Sequence, residues 1–236
     1  MGALANEAGY IAGARDRVTV GVGVMARAPS ADGKTRLAAH LPADRLLSLR
    51  KALLTDTLNI VESAPGASAV VFFTPADAKD EIRALSGDRL TCVAQRGHDL
   101  GERMLAAIEH LLTAGQFETA ILVGTDMPLL TAGHITEACE ALDASRGVVL
   151  GPADDGGYYL IGMRTMHPQL FQGIEWGSPS VLTDTLRAAD RAGIEPRLIR
   201  RGYDVDTIDD LRRLESDLRT ASPNVARQVR AWFKSG

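Results

Sequence analysis

Residues 18–25, Val-Thr-Val-Gly-Val-Gly-Val-Met, form a short β-branched run that ends in Ala26-Arg27-Ala28-Pro29. A brief apolar run closed by turn residues reads as a buried strand. The fold is decided by the segments downstream of this run. Leu47, Leu54, Leu58 and Val61 share one face of a helix that can begin near Ala43. Another apolar run, Ala69–Thr74 (AVVFFT), comes next, and the pattern continues with Leu90–Ala94, Ala120–Gly124 (AILVG) and Val148–Gly151. Leu100, Met104, Ile108, Leu111 and Leu112 mark a second helix, which ends before Gly115. Thr131 can cap a third, carrying Ile135, Ala138 and Leu142. Ser178-Pro179 opens a fourth, with Pro at the first helical position, and Thr207-Ile-Asp-Asp starts one carrying Leu211, Leu214 and Leu218. Tyr158–Gly162 and Arg197–Ile199 are further strand candidates that can mix the strand directions. Strand–helix alternation of this kind predicts an α/β fold, a three-layer α/β/α sandwich with a mostly parallel sheet. Ligands of such sheets collect at the carboxyl ends of the strands.

Composition narrows the setting. The chain has 236 residues, 45% hydrophobic and 24% charged, enough for one substantial domain over residues 18–236. Met1–Arg17 is rich in Ala and Gly and lacks a basic start followed by an apolar segment, so it reads as a flexible extension and not a signal peptide. Lys and Arg total 26 against 30 Asp and Glu, a net charge of −4 that speaks against a nucleic-acid partner. No apolar run approaches the roughly 20 residues needed to span a bilayer, so no membrane partner is expected. Cys92 and Cys139 are the two cysteines, too few for a disulfide framework or a closed thiolate zinc site. The expected location is the cytoplasm. The oligomeric state is open.

Two patterns in the first loop invite readings that their context rejects. Gly21-Val-Gly23-Val-Met-Ala26 matches a dinucleotide fingerprint, yet its glycines sit inside the strand pattern and no helix opens after them. Ala28–Thr35 approximates a phosphate-binding P-loop. There Pro29 removes an N–H, Asp32 adds negative charge, and Pro42 leaves little room for the helix. The loop still presents Lys34 and Arg36 beyond the strand, either for phosphate or as a solvated basic turn.

Acidic residues supply the strongest chemical signal. Asp126 directly follows the 120–124 strand and either binds a hard cation or caps a turn. Asp204-Val-Asp206 sends two carboxylates to one side of an extended segment, where they repel unless a cation or donors lie between them. Magnesium is commonly held by one or two carboxylates with phosphates and water. Asp206 or Thr207 can instead serve only as a helix cap. Asp155-Gly156-Gly157 is either a close-approach site for a ligand or a tight turn. Trp176 is either a substrate-facing lid or a core anchor. The five histidines show no ligand spacing and read as surface or helix residues.

In order along the chain, Met25-Ala-Arg-Ala-Pro-x4-Lys34-Thr-Arg-Leu37, Asp99-Leu-Gly-Glu-Arg-Met104, Gly124-Thr-Asp-Met-Pro128, Gly151-Pro-Ala-Asp-Asp-Gly-Gly-Tyr-Tyr-Leu-Ile-Gly162, Phe171-x4-Trp176-Gly177 and Asp204-Val-Asp-Thr-x-Asp-Asp-Leu211 cover about residues 18 to 215. This set resembles a bacterial family of GT-A-superfamily, glycosyltransferase-like proteins of unknown function. More distantly it is similar to 2-phospholactate guanylyltransferases and molybdenum cofactor guanylyltransferases. The resemblance implies a nucleotide-diphospho-sugar-transferase-like, nucleotide-binding sandwich that uses Mg²⁺ or Mn²⁺. On that likeness Asp126, Asp204 and Asp206 match metal positions, Lys34 and Arg36 the phosphate-contacting loop, and Asp155, Gly156 and Gly157 the acceptor-side turn. Arg27, Thr125 and Trp176 complete the expected substrate contacts, and Lys34, Arg36 and Asp126 are the expected catalytic groups. One departure is plain. The glycine-rich Ala-Gly-Gly loop of many nucleotidyltransferases is replaced by Arg27-Ala-Pro, which leaves the base preference open.

The expected activity is metal-dependent transfer from a nucleoside triphosphate to a small phosphorylated or hydroxylated acceptor, releasing pyrophosphate. Glycosyl transfer from a nucleotide-sugar is the alternative. A non-catalytic nucleotide sensor is a third reading, disfavoured because all three aspartates are present.

Overall fold

Alternate residues of the first strand go to opposite sides of a sheet, and the two sides are filled differently. In the computed structural model, which describes residues 20–144 and 147–235, this strand is β1 (Val20–Arg27). The first two residues of its predicted span, and the 1–17 extension, lie outside the described residues. Val22, Val24 and Ala26 are fully buried on one face with Leu54, Leu58 and Val61 of a long helix. Gly21 and Gly23 point the other way. A Cβ on Gly21 would collide with the Phe117 ring, and one on Gly23 would lie 2.6 Å from Leu122 and 2.8 Å from Phe72. The G-x-G pattern is therefore a packing device of the sheet and owes nothing to a dinucleotide.

Beyond β1 the chain forms α1 (Thr35–Ala38), α2 (Ala43–Glu62), β2 (Ala67–Thr74), α3 (Lys79–Ser86), β3 (Thr91–Ala94), α4 (Leu100–Leu112), β4 (Thr119–Val123) and α5 (Ala132–Ala144). It continues through β5 (Val148–Pro152), β6 (Tyr158–Met163), a 3-10 turn at Pro168–Phe171, α6 (Val181–Arg191), β7 (Arg197–Leu198), α7 (Ile208–Asp217) and α8 (Arg227–Lys234). The strands order as β3-β2-β1-β4-β6-β5-β7. β6 runs antiparallel to both neighbours, and the remaining pairings are parallel.

Helices cover both faces, as the alternation predicts. α2, α3 and α5 bury Leu58, Ile82 and Ile135 on one side. α4 and α6 bury Ile108 and Ala188 on the other. A third apolar cluster lies against the far side of α2, where Leu46, Leu49 and Leu53 meet Val205, Leu211, Leu214 and Trp232. α2 is thus apolar on two sides, which explains its length of 20 residues. None of the described helices is long and apolar enough to cross a membrane.

One local expectation is corrected. The helix placed at Ser178-Pro179 starts at Val181, because Ser178 turns back to accept from the Ser180 amide and the Leu182 amide is drawn to the Gly156 carbonyl at 2.9 Å. α3 and α8, eight residues each, are too short for their periodicity to stand out from the sequence. His134 is a helix residue, one of the two readings the sequence offers: it is buried on α5, with Nδ1 accepting from the Thr131 amide at 3.1 Å.

Burial and the nearby Arg200 charge hold the His134 imidazole below its ordinary pKa. A histidine kept neutral in the fold contributes stability above pH ~6.5, and that contribution is lost on acidification as the unfolded chain takes up protons first. The melting temperature is therefore expected to fall from pH 7.5 to pH 5 more steeply in the natural chain than in His134→Asn. Equal slopes in the two scans would remove His134 from that role.

Candidate active site

The carboxyl ends of β1 and β4 and the segment before α7 are tied together by main-chain bonds before any side chain is considered. The Val205 amide donates to the Asp126 carbonyl at 2.9 Å. Val205 is fully buried in the third cluster, so Asp204 and Asp206 are left on the open side, as alternation predicts. Thr207 then caps α7 reciprocally with Asp210. The cap duty therefore falls on Thr207 and Asp210, and Asp206 is free for the site.

Lys34 fills the gap between the acids. Its Nζ lies 2.7 Å from Asp126 Oδ1 and 3.1 Å from Asp206 Oδ1, and it donates to the Val205 carbonyl at 2.6 Å. Only 7% of its side chain is exposed. Burial works to lower its pKa, but the two carboxylates more than offset this and hold it above the ordinary value. The Lys34 backbone sits in the left-handed region at φ 50°, a strained conformation for a non-glycine residue and one typical of functional loops. Two arginines support the loop: Arg50 donates to the Ala28 and Ala31 carbonyls and Arg27 to the Asp32 carbonyl.

Asp204 is the odd member of the cluster. Burial first, and then the charges of Asp126, Asp155 and Asp206, push its carboxyl up to about 7, and Lys34 only partly counters them. The Lys34 ammonium pairs with Asp126 and Asp206, and Asp204 and Asp155 add two further acidic groups beside them. Among the described residues no group of three or more His, Cys, Asp or Glu side chains is already set to hold a metal ion. The surplus of hard oxygen donors is nonetheless of the type that Mg²⁺ or Mn²⁺ takes.

Over these groups lies a cleft with two lobes. The first, about 520 Å³, is lined by Arg27, Thr74, Gln95, Arg103, Thr125 and Asp126 among others. The second, about 470 Å³, includes Arg36, Asp155, Gly157 and Trp176. Leu100, Met104, Tyr158 and Asp204 line both. The structure therefore brings Arg27, Thr125, Asp126 and Asp204 together in one lobe. It separates Lys34 from Arg36: the first is locked onto aspartates and the second lines the other lobe.

Gly156 lines neither lobe and holds the turn behind the second, its carbonyl accepting from the Leu182 amide at 2.9 Å. It has φ 91°, and a Cβ there would strike the Pro179 carbonyl. Gly156→Ala is therefore expected to cost about 2 kcal/mol or more, read as a lower midpoint of denaturant unfolding. An unchanged midpoint would show that the 154–157 turn moves freely. Trp176 stacks on Phe171 and packs its indole edge over Gly101, so it is an anchor that also lines the cleft.

Sequence reasoning passes over Gln95 and Arg103. The Gln95 amide donates to the Ala26 and Phe72 carbonyls, and Arg103 Nε donates to the Gly97 carbonyl. The local signal that points to them is Asp99-x-x-Glu102, whose Asp99 side chain accepts from the Glu102 amide and starts α4 at the cleft.

A family model described as "Uncharacterized protein conserved in bacteria (DUF2064)" matches residues 57–178. The chain belongs to this family. The DUF2064 match contains Arg103, Asp126, Asp155 and Trp176, while Lys34, Asp204 and Asp206 lie outside it. Two relatives by sequence bear the name phosphoenolpyruvate guanylyltransferase. The protein of Mycolicibacterium paratuberculosis (strain ATCC BAA-968 / K-10) is 30% identical over 117 residues, 49% of this chain and 53% of that protein, so only about half of that relative's length is spanned. That of Sphaerobacter thermophilus (strain ATCC 49802) is 29% identical over 185 residues, 77% of this chain and 86% of its own. A solved structure from Desulfovibrio desulfuricans G20, described as a nucleotide-diphospho-sugar transferase, is 29% identical and superposes with a TM-score of 0.85, covering 92% of this chain and 94% of that one. All three names are those of transferases, the class that the sequence predicts, and the fold is the one expected from it.

Proposed function

We propose that this protein is a nucleotidyltransferase that uses a nucleoside triphosphate and a small-molecule acceptor. The observation that carries the reading is the first lobe, which Arg27 and Arg103 line together with Asp126 and Asp204 at the carboxyl ends of parallel strands. Guanidinium groups suit phosphate oxygens, and carboxylates in the same lobe suit a phosphate-bound cation. The guanylyltransferase names of the two sequence relatives support the same class.

Asp126, Asp204 and Asp206 would hold Mg²⁺ or Mn²⁺. When bound, that ion would supply neutralisation of charge on the phosphate oxygens. The protein's own part is positioning. Arg27 and Arg103 orient the phosphates, Lys34 fixes Asp126 and Asp206 relative to each other, and the Asp155–Gly157 turn bounds the space for the acceptor. No covalent enzyme intermediate is required, since the acceptor oxygen displaces pyrophosphate directly.

Glycosyl transfer is the second reading, favoured by the name of the 0.85 TM-score neighbour. Product analysis separates the two. The protein is incubated with Mg²⁺, a panel of nucleoside triphosphates and nucleotide-sugars, and mixed acceptors. Pyrophosphate release is the expected result. Release of nucleoside diphosphate from a nucleotide-sugar, with no pyrophosphate, would replace the proposal by the second reading. Thermal shifts by triphosphates that depend on Mg²⁺ are expected alongside, because selective binding stabilises the native state.

A further inference from the structure

The second lobe is built unlike the first. Its wall is Leu100, Met104, Tyr158, Trp176, Pro179 and Val181, apolar or aromatic throughout. Leu100 is 44% exposed, one of two large apolar side chains left open among the described residues, and it stands where the lobes meet. Among the described residues, the charged groups of this lobe are Arg36, Asp155 and Asp204. One cation therefore faces two carboxyl groups. Leaving Asp204 to the first lobe still gives Arg36 only balanced by Asp155. Ser178 adds a hydroxyl at the rim.

A small acceptor bearing a phosphate and a carboxylate, as the name of the sequence relatives implies for those proteins, needs several cations around it. This lobe does not offer them. Its chemistry fits a ligand with one apolar face and a set of hydroxyls. The apolar wall removes C–H surface from water, and the carboxylates accept from O–H groups. Resting on the transferase reading above, we propose that the acceptor is an uncharged ring alcohol, a sugar or a cyclitol, seated on Leu100 and Trp176 with a hydroxyl directed towards Asp155 and Asp204. In the transfer, that hydroxyl oxygen forms the new bond to the α-phosphorus, the bond to the pyrophosphate oxygen breaks, and the hydroxyl proton leaves to a carboxylate or to water.

Binding without donor tests the assignment independently of turnover. Saturation-transfer NMR on the full chain is run with methyl β-D-glucopyranoside, myo-inositol and phosphoenolpyruvate, and repeated on Leu100→Asp. The exposed position of Leu100 makes a folding failure in that variant avoidable, and circular dichroism checks it. The expected result is saturable binding of the glucoside or the inositol, strongest at ring C–H protons, and at least tenfold tighter than phosphoenolpyruvate. Leu100→Asp should weaken it roughly tenfold. Response to the glucoside alone assigns a sugar, and response to inositol alone a cyclitol. Phosphoenolpyruvate binding as tightly as either, or no ring alcohol binding at all, overturns the proposal. Ring-alcohol binding accompanied only by nucleoside diphosphate release would overturn the nucleotidyl reading and leave the acceptor class standing. Pyrophosphate release with phosphoenolpyruvate alone would do the reverse.

Discussion

Asp126→Ala is expected to reduce triphosphate turnover roughly 10³-fold while leaving the fold intact. The carboxylate is half exposed, and the main-chain oxygen that accepts from Val205 survives the substitution. Lys34 also keeps two of its acceptors, Asp206 and the Val205 carbonyl. Circular dichroism and the melting temperature should therefore match the natural chain, so that lost turnover reports chemistry. Asp204→Ala should lose turnover to a similar degree but gain stability. Burial and three neighbouring carboxylates already oppose its charge, so removing it at pH 8 should raise the melting temperature. Unchanged triphosphate turnover in both variants would end the proposed mechanism.

Asp56→Ala is expected to be the most damaging change far from the cleft. Asp56 lies on α2, buried, and its carboxylate accepts from the Gln228 amide at 2.9 Å and from the Val229 amide at 3.0 Å. These are the first-turn donors of α8, whose own N-cap residue Ala226 has no side chain to offer. Alanine would leave the buried Val229 N–H unpaired and give up the Gln228 N–H to solvent, at a cost of about 1–3 kcal/mol. α8 holds Trp232 against α2, with Arg45 4.1 Å over the indole, so loosening α8 exposes that ring. A lower unfolding midpoint with red-shifted tryptophan emission is the expected signature, and Asp56→Asn should recover part of it. A midpoint within about 0.5 kcal/mol of the natural chain would show that α8 is held by its apolar face alone.

The legible and illegible parts of the molecule divide along physical lines. β1, β2, β4 and β5 are readable because a strand buried on both faces must be apolar along its length. α2, α4 and α7 are readable from periodicity or capping residues. α8 is not, since its N-terminal donors are satisfied by Asp56, more than 170 positions away in sequence. The acidic cluster can be found because carboxylates at strand ends are conspicuous. Its pairing with Lys34 cannot, because an ion pair between residues 34 and 126 leaves no local mark. The same holds for Lys34 and Arg36. Two cations two positions apart suggest one anion site, yet the left-handed turn at Lys34 sends them to different places.

Because β6 runs against its neighbours, β5 and β6 form a hairpin whose turn, Ala153–Gly157, emerges at the same edge as the ends of the parallel strands. Such a turn can lengthen, shorten or change composition without shifting the register of β1, β2 and β4. On the proposed function, the turn that bounds the acceptor side is therefore separable in inheritance from the strand ends on the donor side. A lineage can reshape that boundary through a few hairpin residues, while Leu100 and Trp176, which come from other elements, keep their places.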